Sequence, residues 1–92
     1  MQIESTSHES PYRTGTLKGL TLSEVQKMLP DISPDTRTSC DRKATITWRF
    51  LADGKLCGIW NYRKSYEVLN ELSTYGPDEV FTAIFNQAYT VL

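Results

Sequence analysis

The residues of this chain best suited to chemistry stand close together, in the run ATITWRFLADGKLCGIWNYRK from Ala44 to Lys64. Trp60 and Tyr62 offer rings. Arg49, Arg63 and Lys64 offer cations, and Thr45 and Thr47 offer hydroxyls. Rings interleaved with cations suit a ligand with a planar base and a phosphate. Stacking contributes about 1–3 kcal/mol per base, and charge-assisted bonds to phosphate are the strong ones. The same two rings equally suit packing or a contact between copies, because Tyr and Trp are frequent interface anchors.

Catalysis has less to work with. Nucleophilic chemistry needs a nucleophile, a base and an orienting group. The one histidine, His8, lies in a polar N-terminal stretch and is expected to be solvated. Asp41, Asp53, Glu67 and Glu71 fall in turns and loops, and periodicity places no two of them as a pair. No phosphate-loop, dinucleotide-binding, HExxH or GxSxG pattern occurs. Cys40 and Cys57 do not form a CxxC pair, so a zinc site is not expected. The expectation is a protein without catalysis, cofactor or metal.

A β-hairpin must position the candidate residues. Ala44, Ile46, Trp48 and Phe50 alternate with Thr45, Thr47 and Arg49, the period of a half-buried strand. Asp53-Gly54 follows, a dipeptide suited to a type I′ turn. Counting outward from that turn pairs Ala52 with Lys55, Phe50 with Cys57, Trp48 with Ile59 and Ile46 with Asn61 on the core side. The other side pairs Leu51 with Leu56, Arg49 with Gly58, Thr47 with Trp60 and Thr45 with Tyr62. Gly58 leaves room there.

The flanking elements follow in chain order. Met1 to Thr16 is polar and aperiodic and is expected to be a mobile tail; an arm at Tyr12-Arg13 that orders on a partner is an alternative with little in the sequence to support it. Residues 17–92 are expected to form one domain. Thr21-Leu22-Ser23-Glu24 is a capping-box pattern opening a short helix, which Pro30 stops. Asp31 to Arg42 reads as a loop. Pro30 and the strand that follows exclude a helix-turn-helix. Between Tyr66 and Tyr75 the pattern admits a helical turn at Val68, Leu69 and Leu72, or a short third strand within Leu72–Tyr75, and the strand is preferred. Gly76-Pro77-Asp78-Glu79 opens a second helix, with Pro77 at its first position. Val80, Phe81, Ile84, Phe85 and Ala88 form its apolar stripe. The expected fold class is therefore α+β: a short N-terminal helix, a central antiparallel hairpin joined by that third strand, and a C-terminal helix packed on the sheet.

Net charge is −1 at neutral pH, so bulk charge points to no partner. Its distribution is uneven. Residues 37–64 carry seven Lys and Arg against Asp41 and Asp53, whereas residues 65–92 carry Glu67, Glu71, Asp78 and Glu79 and no cation. That asymmetry suits solvated faces, a local anion site, or a contact between copies. No apolar run is long enough to span a bilayer, and the N-terminus lacks the basic start and apolar core of a signal peptide. A cytoplasmic location is expected, with both cysteines reduced.

The layout resembles small accessory proteins of tailed bacteriophages and related mobile elements. The matching pieces are Gly19-Leu20-Thr21-Leu22, Trp48-Arg49-Phe50, Asp53-Gly54-Lys55 and Cys57-Gly58-Ile59-Trp60-Asn61-Tyr62. They continue with Leu72-Ser73-Thr74-Tyr75-Gly76-Pro77 and Glu79-Val80-Phe81. The stretch between Arg63 and Leu72 is longer than that family's pattern. The resemblance implies a viral accessory protein in the host cytoplasm, with no agreed activity and no catalytic residues to carry over; small phage proteins of this size commonly look like inhibitors of host defence. The expected function is capture of a phosphorylated nucleotide signal by a homo-oligomer. Arg49, Trp60, Tyr62, Arg63, Lys64, Thr45 and Thr47 would be its ligand contacts. The alternatives are direct binding to a host defence protein and a structural or assembly role.

Overall fold

The turn at Asp53-Gly54 organises the sheet. Both residues take positive φ, 50° and 80°, as a type I′ turn requires. The computed structural model describes residues 1–36, 44–62 and 71–92. Their elements in chain order are β1 (Ile3–Ser5), β2 (Gly15–Lys18), α1 (Leu22–Met28), β3 (Ala44–Ala52), β4 (Lys55–Tyr62), β5 (Glu71–Tyr75), α2 (Asp78–Phe85) and β6 (Tyr89–Val91). A 3₁₀ turn at Asn86–Ala88 joins α2 to β6. The strands form one six-stranded sheet in the order β1-β3-β4-β5-β2-β6, with antiparallel neighbours throughout.

The hairpin holds the expected register from the turn out to Thr47 opposite Trp60. Beyond that point it departs. Ala44, not Thr45, pairs with Tyr62, so Thr45 and Ile46 together face Asn61 across a β-bulge. The buried Asn61 side chain holds the bulge. Its Oδ1 accepts from the backbone N–H of Thr45 at 3.0 Å and of Ile46 at 2.8 Å, and its Nδ2 donates to Thr45 Oγ1 at 2.8 Å. The extra residue turns the Thr45 hydroxyl to the Asn61 side.

Both helices cover the inward face. Trp48, Phe50, Cys57, Ile59 and Leu72 pack there with Val25 and Leu29 at α1 and Phe81 and Phe85 of α2. Trp48 Nε1 donates to Gln26 Oε1 at 3.3 Å, which ties the hairpin to α1. The capping box at Thr21 and Glu24 is complete. Pro77 sits one position earlier than expected, as the extended residue before α2 rather than its first helical residue. The third strand is present as β5.

Residues 1–16 differ from the expected tail. Ile3–Ser5 pairs antiparallel with β3, and Gly15 and Thr16 open β2, which lies between β5 and β6. Neither strand has an alternating pattern long enough to read locally. Each is held by hydrogen bonds to chain far away in sequence. The expected helical turn at Val68 and Leu69 lies outside the described residues.

Candidate binding site

The chain between β1 and β2 must cross β3, β4 and β5, and it does so on the face opposite the helices. The Thr6 N–H reaches Arg49 C=O at 3.4 Å. Ser10 lies against Gly58, where an added Cβ would collide with the Ser10 hydroxyl. Tyr12 stands edge-on to Tyr75, with ring centroids 5.3 Å apart and planes at 86°. Thr14 N–H then donates to Thr74 C=O at 2.8 Å. The room left by Gly58 is thus filled by the chain itself.

This crossing sets the fate of the expected contacts. Arg49 Nη1 donates to Asp35 Oδ2 at 2.9 Å, and its Nη2 lies 3.6 Å from Glu9 Oε1. Asp35 is fixed in turn by backbone hydrogen bonds in both directions with Thr47, at 2.7 and 2.8 Å. An arriving phosphate must compete with two carboxylates for that guanidinium. Thr47 and Trp60 face each other on this side, both half-buried. The Thr45 hydroxyl is committed to Asn61, away from that pair. Tyr62 joins the ladder opposite Ala44. Arg63 and Lys64 lie outside the described residues. Of the expected contacts among the described residues, Arg49, Thr47 and Trp60 share this face, and the Thr45 hydroxyl does not.

Another set does converge, at the end of the sheet where β4 begins and β5 ends. Tyr12, Thr14, Lys55, Leu56, Tyr75 and Gly76-Pro77 line an open cleft of about 390 Å³, within the range of small-ligand sites. Tyr12 is 64% exposed. The Thr14 hydroxyl accepts from the Gly76 N–H at 3.1 Å and closes one wall. Gly76 takes φ of 138°, and an added Cβ would press on Cys57 Sγ and Phe81, so only glycine makes this corner. On the rim, Lys55 Nζ lies 3.7 Å from Glu79 Oε1, both side chains well exposed. Sequence reasoning missed this site because Tyr12 and Tyr75 meet only through the sheet order. The one local sign was an aromatic residue inside an otherwise polar stretch.

Burial pushes the Cys57 thiol up to about 11, so it is protonated near neutrality and is a poor nucleophile. Among the described residues, no group of three or more His, Cys, Asp and Glu is placed to hold a metal ion. No helix among them is long and apolar enough to cross a membrane. No protein-family model matches the chain, and neither does any curated protein or solved structure.

Proposed function

We propose that this chain is a non-catalytic binding protein that docks a segment of a partner protein in the Tyr12–Tyr75 cleft. One observation carries the reading. An exposed tyrosine ring stands edge-on to a second ring beside Leu56 and Pro77, and the neighbouring lysine is already matched by Glu79. Aromatic-lined grooves take an apolar or proline side chain of an extended segment. Tyr is among the residues enriched at interface hot spots. In the setting that the resemblance implies, the partner is a host defence factor and the protein is its inhibitor in the host cytoplasm.

Capture of a phosphorylated nucleotide is the second reading. The half-buried Trp60, on the same face as Arg49, favours it, while the carboxylates beside Arg49 weigh against it.

Two measurements separate these readings. Affinity capture from bacterial lysate is run with the wild type and with Tyr12→Ala, each shown folded by circular dichroism. A stoichiometric protein retained by the first and lost by the second is the expected result. Calorimetry with linear and cyclic nucleotides is run in parallel. Saturable heat with nucleotide, abolished by Trp60→Ala and not by Tyr12→Ala, overturns the protein-docking reading in favour of the second.

A further inference from the structure

The outer edge of β6 is paired with no described strand. The register with β2 pairs Val91 with Gly15, Thr90 with Thr16 and Tyr89 with Leu17. Leu92 N–H donates to Thr14 C=O at 3.2 Å. Hydrogen-bonded and non-hydrogen-bonded pairs alternate along an antiparallel ladder. Leu92 and Thr90 therefore turn their backbone groups to β2, and Tyr89 and Val91 turn theirs outward. No described strand pairs with that side.

Exposed edges are normally blunted by shortness, charge, proline or a bulge. β6 is short, three residues, but it has no charged side chain, proline or bulge. The opposite edge, β1, carries the exposed Glu4. Val91 is 55% exposed.

We propose that two copies of this chain pair β6 against β6, antiparallel, about a two-fold axis through Thr90. The outward groups then match without strain. Tyr89 and the partner's Val91 form a hydrogen-bonded pair, and the symmetric pair does the same. Thr90 and the partner's Thr90 form the close, non-hydrogen-bonded pair between them. Side chains agree with this register. Tyr89 sits beside the partner's Val91 on the helix-covered face, an aromatic–branched pair, and the two threonines meet on the other face. Both kinds of pair are favourable across strands. A slip by one residue sets outward groups against inward ones, so the ladder cannot form. The two sheets become one, and the pairing brings no charged side chains of β6 together. This inference stands independently of the docking cleft, which lies at the Lys55 end of β4.

Sedimentation equilibrium of the full chain over a concentration series tests it, with two variants. Val91→Pro removes an outward N–H and leaves the β2 ladder intact, since edge strands accept proline with the N–H side facing out. It is expected to raise the dimer dissociation constant by at least about tenfold, with unchanged circular dichroism. Thr90→Cys places two thiols across the close pair, at a spacing that a disulfide accepts. Oxidation is expected to give a dimer linked Cys-to-Cys at position 90 by peptide mapping. A wild type that stays monomeric to about 1 mM, the weak end of specific association, overturns the proposal. So does a dimer that Val91→Pro leaves intact and that yields no linkage at position 90.

Discussion

Arg49 Nη1 lies 2.9 Å from Asp35 Oδ2, on the sheet face opposite the helices. Both side chains are 20% exposed, so the pair is partly withdrawn from solvent and is not a surface ornament. Asp35 is anchored by Thr47 on the same strand as Arg49, so the pair ties the chain before β3 to the hairpin. Asp35→Ala and Arg49→Met are each expected to cost about 1–2 kcal/mol in urea denaturation. The double variant should cost less than the two losses added, with a coupling of about 1 kcal/mol. A coupling of zero would show that the pair does not form in solution.

Gly58 and Ser10 test the crossing segment. Gly58→Ala drives a methyl into the Ser10 side chain and is expected to destabilise by about 1–3 kcal/mol. Ser10→Gly removes the colliding atoms. Combined with Gly58→Ala, it should recover part of the loss. Recovery measured as a shift in denaturation midpoint places residues 6–14 over β4. No recovery means that the segment lies elsewhere.

Asn61 tests the bulge. Its side chain satisfies two backbone donors and one hydroxyl while 6% exposed. Asn61→Ala leaves the Thr45 and Ile46 N–H groups without that acceptor, at a cost of about 2–4 kcal/mol. Hydrogen exchange at those two amides should speed up more than at Trp48 or Phe50, further along the same strand.

What could be read from the sequence was what short-range physics decides. Asp53-Gly54 sets the hairpin register because positive φ at both positions admits one turn geometry. Thr21 and Glu24 name the start of α1 because the two hydrogen bonds close within one turn. The inward-facing Asn61 was a sign of the bulge, since a buried amide requires partners that a regular apolar pairing cannot supply. β1, β2 and β6 were not legible. Each is short, and each exists only because a distant strand offers a matching edge. The candidate cleft was lost for the same reason: Tyr12 reaches Tyr75 only once the sheet order is known. Arg49 was legible as a cation but not as a paired one, because Glu9 and Asp35 reach it through the crossing segment and the loop before β3.

The capping box carries an acid dependence. The Thr21 N–H, then the Thr21 hydroxyl, hold the Glu24 carboxyl below its ordinary value of 4.5. A carboxyl depressed in the folded state contributes fully above its unfolded value, and the contribution disappears as pH falls through the folded one. Thr21→Ala is expected to cost about 1 kcal/mol near neutrality. The gap between wild type and variant should narrow below pH 4.5 in thermal melts.

At the alkaline end, the buried Cys57 and the half-buried Tyr89 act in the opposite direction. Burial raises the Cys57 thiol from 9.0 to about 11. Burial first, and then the hydrogen bond that Tyr89 Oη donates to Asp78 Oδ1 at 2.6 Å, raises the Tyr89 phenol from 10.0 to about 12. Both groups are neutral in the fold and ionise more readily when unfolded. Their contribution is complete below the unfolded values and is lost as pH rises through the folded ones. Stability should therefore be level up to pH 9 and fall between pH 9 and about 12. Cys57→Ala should remove the earlier part of that fall, beginning near pH 9. Tyr89→Phe should remove the later part and cost about 1 kcal/mol at neutral pH for the lost hydrogen bond. Denaturation midpoints at stepped pH read both. A fall that begins at pH 9 in Cys57→Ala as well would assign the early phase to another group.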